Sequence, residues 1–96
     1  AKRVPNLPDV PTVSDTIPDF QCASWYGLWG PAKLPTELVV KLNAAMNKAL
    51  ASDMRDRLVA DGIVPGGGSA ADFAKFQADD IATSGKIIAD KKITLE

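Results

Sequence analysis

The chain has 96 residues, 46% apolar, with 11 Lys and Arg against 12 Asp and Glu for a net charge of −1. A single unit of this size buries only about 60–65% of the surface of its unfolded form, so its core is thin unless something else completes it. Basic residues are scattered from Lys2 to Lys92 rather than clustered. That leaves no electrostatic footprint for nucleic acid or an anionic membrane. No apolar run approaches the ~20 residues of a membrane span, and no basic-then-apolar leader opens the chain as given.

Histidine is absent and Cys22 is the sole cysteine. Ser-His-Asp and Cys-His nucleophilic pairs are therefore excluded, as are His-containing zinc sites, Cys₄ metal sites and an intrachain disulfide. Neither a cofactor nor a metal is expected. Cys22 stands among aromatics, where a buried apolar role is expected rather than a reactive thiol.

In chain order, Pro5, Pro8, Pro11 and Pro18 fix φ and withhold donors, so residues 1–19 are expected to be mostly extended loop. Within it Thr12 caps a single helical turn, Val13 to Ile17, before Pro18 and Asp19 redirect the chain. The aromatic run from Phe20 to Gly30 has strand-like length and composition, and Gln21 to Leu28 reads as a buried strand.

Pro35 and Glu37 suit a helix start, and Leu38, Leu42, Ala45, Met46 and Ala49 recur at helical spacing, which predicts a helix over 35–51. Asn43, Lys41 and Lys48 lie off that stripe, on the expected solvent face. Ser52 restarts capping for a shorter helix, 53–61, ended by Gly62 in a left-handed conformation. Residues 63–65 read as a short strand. Ser69 and Asp72 then form a capping box for a helix over 70–89. Its stripe runs through Phe73, Phe76, Asp80/Ile81, Ser84 and Ile87/Ile88, with Gly85 as the weak point.

Three features carry candidate chemistry. Gly66-Gly67-Gly68 before a helix invites a phosphate-loop reading, but it lacks both the G-K-[ST] ending and the G-x-G-x-x-G spacing, and a flexible connector is favoured. Asp79-Asp80 and Asp53/Asp56 are acidic pairs that read as solvated helix faces. Trp25, Tyr26 and Trp29 place three of the six aromatics within five positions. Alternation sends Trp25 and Trp29 to one face and Tyr26 to the other, so the cluster serves either as core or as the wall of a cleft.

The order of motifs is more telling than any one of them. Pro5-Asn-Leu-Pro-Asp-Val-Pro-Thr-Val13, Phe20, Ser24-Trp-Tyr-Gly-Leu28, Pro31-Ala, Pro35-Thr-Glu, Leu42-Asn-Ala-Ala-Met-Asn-Lys-Ala-Leu50 and Gly67-Gly-Ser resemble the C-terminal third of the Bug family. These are the extracytoplasmic solute receptors of tripartite tricarboxylate transporters. Ser84-Gly85-Lys86 departs from the family's frequent Trp before Gly-Lys.

The resemblance implies an α/β fold, a partial lobe of a bilobal, type II-like periplasmic-binding-protein clamp with a crossing strand and three helices. Residues 1–19 would leave the second lobe and 20–96 form the C-terminal part of the first. It further implies a periplasmic receptor fragment without catalysis, closing on a small carboxylate and delivering it to membrane permease subunits. Ser24, Trp25 and Tyr26 match the family's S-W-Y-G strand and are the ligand-cleft or hinge candidates. A free-standing α/β protein-interaction module is the alternative. The apolar stripes of the helices also lead to the expectation that the isolated chain self-associates.

Overall fold

The computed structural model describes residues 2–95. A short 3-10 turn, Val13–Asp15, precedes three helices: α1, Thr36–Leu50; α2, Asp53–Ala60; and α3, Ala70–Lys91. No strand is present among the described residues. The expectation of an α/β partial lobe is corrected on this point: neither Gln21 to Leu28 nor residues 63–65 form a strand, and the architecture is all-helical. Composition favoured a strand at 21–28, but a strand exists only as a hydrogen-bonded ladder with a neighbour. Among the described residues no backbone hydrogen bond joins 21–30 to another segment.

The N-terminal segment is a succession of turns rather than an extended loop. Leu7 N–H donates to Val4 O at 2.9 Å and Val10 N–H to Leu7 O at 3.1 Å. Each turn has Pro second and Asn6 or Asp9 third, the residues whose fixed φ and short polar side chains favour that geometry. Asp15 accepts the Thr12 N–H at 2.9 Å, closing the 3-10 turn. That bond, with smaller help from the Thr12 side chain and Arg3, holds the Asp15 carboxyl below its usual range. Asp19 then takes φ +62° and Phe20 N–H donates to Ile17 O, reversing the chain at Pro18 as expected.

The helices fall close to their expected ranges because their end signals act locally. Pro35 is the N-cap of α1. Ser52 caps α2, accepting from Met54 N–H at 3.5 Å, and Gly62 follows it with φ +77°. Ser69 and Asp72 form the reciprocal capping box of α3: Asp72 N–H reaches Ser69 Oγ at 3.0 Å, and Ser69 N–H reaches Asp72 Oδ2 at 2.9 Å. α3 runs unbroken through Gly85 to Lys91.

Packing departs further from the expected stripes. α1 touches both α2 and α3. Its half-buried residues are Val39, Asn43, Asn47, Ala49 and Leu50, while Leu38, Leu42 and Met46 stay 45%, 49% and 39% exposed. Asn43 is thus turned inward rather than to solvent. No described residue is buried, and the 10.2 kDa chain exposes 8607 Å² where a compact monomer exposes about 5,300 Å². Its radius of gyration is 16.5 Å against about 12.5 Å for a compact chain of this length.

The Asp72 carboxyl is held below its ordinary value of 3.8, first by the Ser69 backbone N–H and then by the Ser69 hydroxyl. A group whose folded pKa is depressed stabilises above its ordinary value and loses that contribution as pH falls through the lowered one. Acidification below the ordinary carboxylate value should therefore fray α3 in far-ultraviolet circular dichroism. Asp72→Asn should start less helical at neutral pH and show a smaller acid loss; superimposable acid curves would count against the capping role.

Candidate functional site

The segment between Phe20 and Gly30 is held by side chains in place of a ladder. Trp25 and Trp29 share a face, their ring centroids 5.9 Å apart. Trp25 meets Phe73 and Phe76 edge-on at 5.6 and 5.2 Å, and Trp29 tilts against Phe73 at 5.4 Å. Such edge and tilted pairs add about 0.5–1.5 kcal/mol each beyond the area they cover. Trp29 Nε1–H also donates to Gln77 Oε1 at 3.2 Å. Phe73, Phe76 and Gln77 lie along one side of the first two turns of α3, so the helix supplies the platform and the tryptophans lie upon it.

Gly27 makes the close approach feasible. A Cβ there would overlap the Phe73 ring. This is the physical reason for glycine after Trp25-Tyr26: its backbone lies flat against an aromatic edge. Tyr26 points the other way and is 90% exposed.

The three candidate residues therefore part company. Trp25 is half-buried in the aromatic cluster, Tyr26 stands in solvent, and Ser24 is exposed. A groove of about 430 Å³ runs between this segment and α3, bordered by Gln21, Cys22, Trp25, Phe76, Asp79 and Asp80 among others. Of the three candidates it includes only Trp25. Asp79 is hydrogen-bonded by the Lys75 ammonium, which raises the Lys75 pKa. Two carboxylates on the rim make the groove a poor host for an anion by itself. Cys22, expected to be buried, has an exposed thiol.

A second hollow, about 240 Å³, lies against Arg3, Val4, Leu7 and Val10. Its guanidinium is engaged: Arg3 donates to Pro8 O at 3.0 Å and lies 3.6 Å from the Asp15 carboxylate. Among the described residues no group of three or more His, Cys, Asp or Glu side chains is placed to hold a metal ion, and no helix is long and apolar enough to cross a membrane.

Sequence reasoning missed two asparagine devices. Asn6 Nδ2 donates to Val59 O at 2.8 Å and to Ala60 O at 3.0 Å, capping the C-terminal end of α2 from the other end of the chain. Asn43 and Asn47 both donate to Gly68 O at 2.9 Å. The signal for the second was their i, i+4 spacing, which puts two amides on one helix face.

With turns, helices and aromatic cluster in place, comparison with known proteins gives the class. The model of the tripartite tricarboxylate transporter family receptor matches residues 1–93. The chain belongs to this family, the Bug family of the resemblance above, whose members are solute-binding receptors of transport systems and not enzymes. Two curated relatives also match. A UPF0065 protein in the tcbD-tcbE intergenic region of a Pseudomonas species is 39% identical over 70 residues, covering 70% of this chain and 21% of the relative. A UPF0065 protein in the clcB-clcD intergenic region of Pseudomonas knackmussii is 28% identical over 92 residues, covering 93% of this chain and 54% of the relative. The chain thus spans about a fifth and about half of these relatives' lengths. No solved structure matches.

Replacement of Gly27 by Ala should push the Phe73 ring away and move tryptophan emission to longer wavelength as Trp25 gains solvent. Gly85→Ala is the control: nothing lies near that position. It should leave emission unchanged while stabilising α3 by about 0.5–1 kcal/mol. Unchanged emission in Gly27→Ala would show that the close approach is dispensable.

Proposed function

We propose that this chain is part of a periplasmic solute receptor that binds a small carboxylate-type solute by domain closure and delivers it to the membrane permease subunits of a tripartite tricarboxylate transporter. The observation that carries the reading is the family match over residues 1–93. The exposed Ser24 and Tyr26 hydroxyls, on the segment anchored by Trp25, are donors suited to a carboxylate, and closure of a facing lobe would remove the anion from bulk water and strengthen such bonds. Asp79 and Asp80 on the other side of Trp25 oppose an anion there, so the Tyr26 side is the one that faces the solute.

The test uses the full-length receptor and a panel of mono-, di- and tricarboxylates in titration calorimetry. A hydrogen bond to a charged group contributes about 1.5–3 kcal/mol, so Tyr26→Phe or Ser24→Ala should weaken the best carboxylate roughly tenfold or more. Lys48→Ala, on an exposed face of α1, should not. Affinity unchanged in Ser24, Trp25 and Tyr26 variants would remove this segment from the cleft.

For the 96-residue chain on its own, the reading entails self-association. Supporting this is the 8607 Å² it exposes, Leu38, Leu42 and Met46 included, since apolar helix faces without a neighbour pair with one another in water. Sedimentation should show a mass that rises with concentration, reduced by Leu42→Lys. A monodisperse monomer across the concentration range would overturn it.

A further inference from the structure

We infer that Asn43 and Asn47 form a latch on the Gly68 peptide that sets where α3 begins and, through Phe73, where the Trp25–Trp29 pair stands. The geometry is reciprocal. Asn47 Oδ1 accepts the Gly68 N–H at 3.0 Å while Asn47 Nδ2 donates to Gly68 O at 2.9 Å, so one side-chain amide holds both polar groups of one residue. Asn43 Nδ2 adds a second donor to the same oxygen at 2.9 Å, and Asn43 Oδ1 accepts from Asn47 Nδ2 at 3.2 Å, which fixes the orientation of both amides. Among the described residues, every side-chain hydrogen bond from α1 toward the start of α3 ends on Gly68.

The latched peptide is also the one that only glycine supplies. Gly67 and Gly68 have φ +110° and +107°, and a Cβ on Gly67 would lie 2.9 Å from Asn47 Oδ1. The triple glycine is thus a fitted receptacle for an amide rather than a slack connector. Ser69 follows as N-cap, its capping box with Asp72 makes the first turn of α3 rigid, and Phe73 is the next residue. Phe73 touches Trp25, Trp29 and the bare backbone of Gly27. A displacement of Gly68 is therefore carried through one stiff turn to the aromatic cluster. Asn43 and Asn47 are positioning residues: they act on Trp25 through α3 and touch no solute. The bearing on solute binding rests on the reading of the Trp25 segment as cleft; the latch itself does not.

The experiment is near-ultraviolet circular dichroism of the 96-residue chain without solute, at a temperature below all melts. The two tryptophans dominate that spectrum, and its shape reports their mutual geometry. Asn47→Ala should lose most of the aromatic signal while keeping far-ultraviolet helix content. Asn47→Asp, which keeps the acceptor and removes the donor, should do the same. Asn43→Ala, which leaves Asn47 in place, should show a partial loss and is the milder variant if the others fail to fold. Leu58→Ala, in α2, is the comparison for general loss of packing: its melt should fall while its aromatic spectrum stays parental. Asn47 and Asn43 variants that melt earlier but retain the parental aromatic spectrum would reduce the pair to ordinary structural residues and overturn the inference. Because no solute enters, a receptor that bound no carboxylate would leave this result standing.

Discussion

The Gly68 peptide, held on both sides by the Asn47 amide, is the tie on which the arrangement of helices depends. α1 contacts α2 directly, but its side-chain hydrogen bonds toward α3 run through this one residue. The tie also decides which way α1 faces. With Asn43 and Asn47 turned toward Gly68, the half-buried residues are Val39, Asn43, Asn47, Ala49 and Leu50, and Leu38, Leu42 and Met46 are carried to the outside. A helix with apolar residues on one stripe here gives two of its five half-buried positions to polar amides. Such an arrangement costs stability in a lone chain, because apolar area is the main favourable term.

Local signals were legible in the sequence, and long-range ones were not. Pro35, Ser52, Gly62 and the Ser69-Asp72 box each act within a turn of themselves, so the helix ends could be placed to within one or two residues. The expected strands failed for the opposite reason. Cys, Trp, Tyr and Leu at strand-like spacing state a preference, whereas a ladder needs a partner that no propensity encodes, and among the described residues no backbone hydrogen bond joins 21–30 to one. The inward turn of Asn43 was missed because a stripe count ranks residues by hydrophobicity and cannot see that Gly68 offers a matched donor and acceptor. Alternation did place Trp25 and Trp29 together and Tyr26 apart, since that follows from backbone geometry alone.

The site divides into an anchor and an exposed edge. Trp25, Trp29, Phe73 and Phe76 form an aromatic joint between a ladderless segment and α3, and Gly27 is what lets the joint close. Ser24 and Tyr26 lie on the same segment but outside the joint. Trp25 fixes the segment against α3 while its neighbours Ser24 and Tyr26 stay exposed to solvent.

The Asn6 cap ties the end of α2 to a distant part of the sequence. Val59 O accepts the Gly62 N–H at 3.0 Å from within the turn and the Asn6 amide at 2.8 Å from 53 positions earlier, and Ala60 O accepts the same amide at 3.0 Å. Part of the cap of an eight-residue helix is thus a non-local closure, which adds loop entropy to an otherwise local fold. The N-terminal turns thus serve as a clasp on the end of α2.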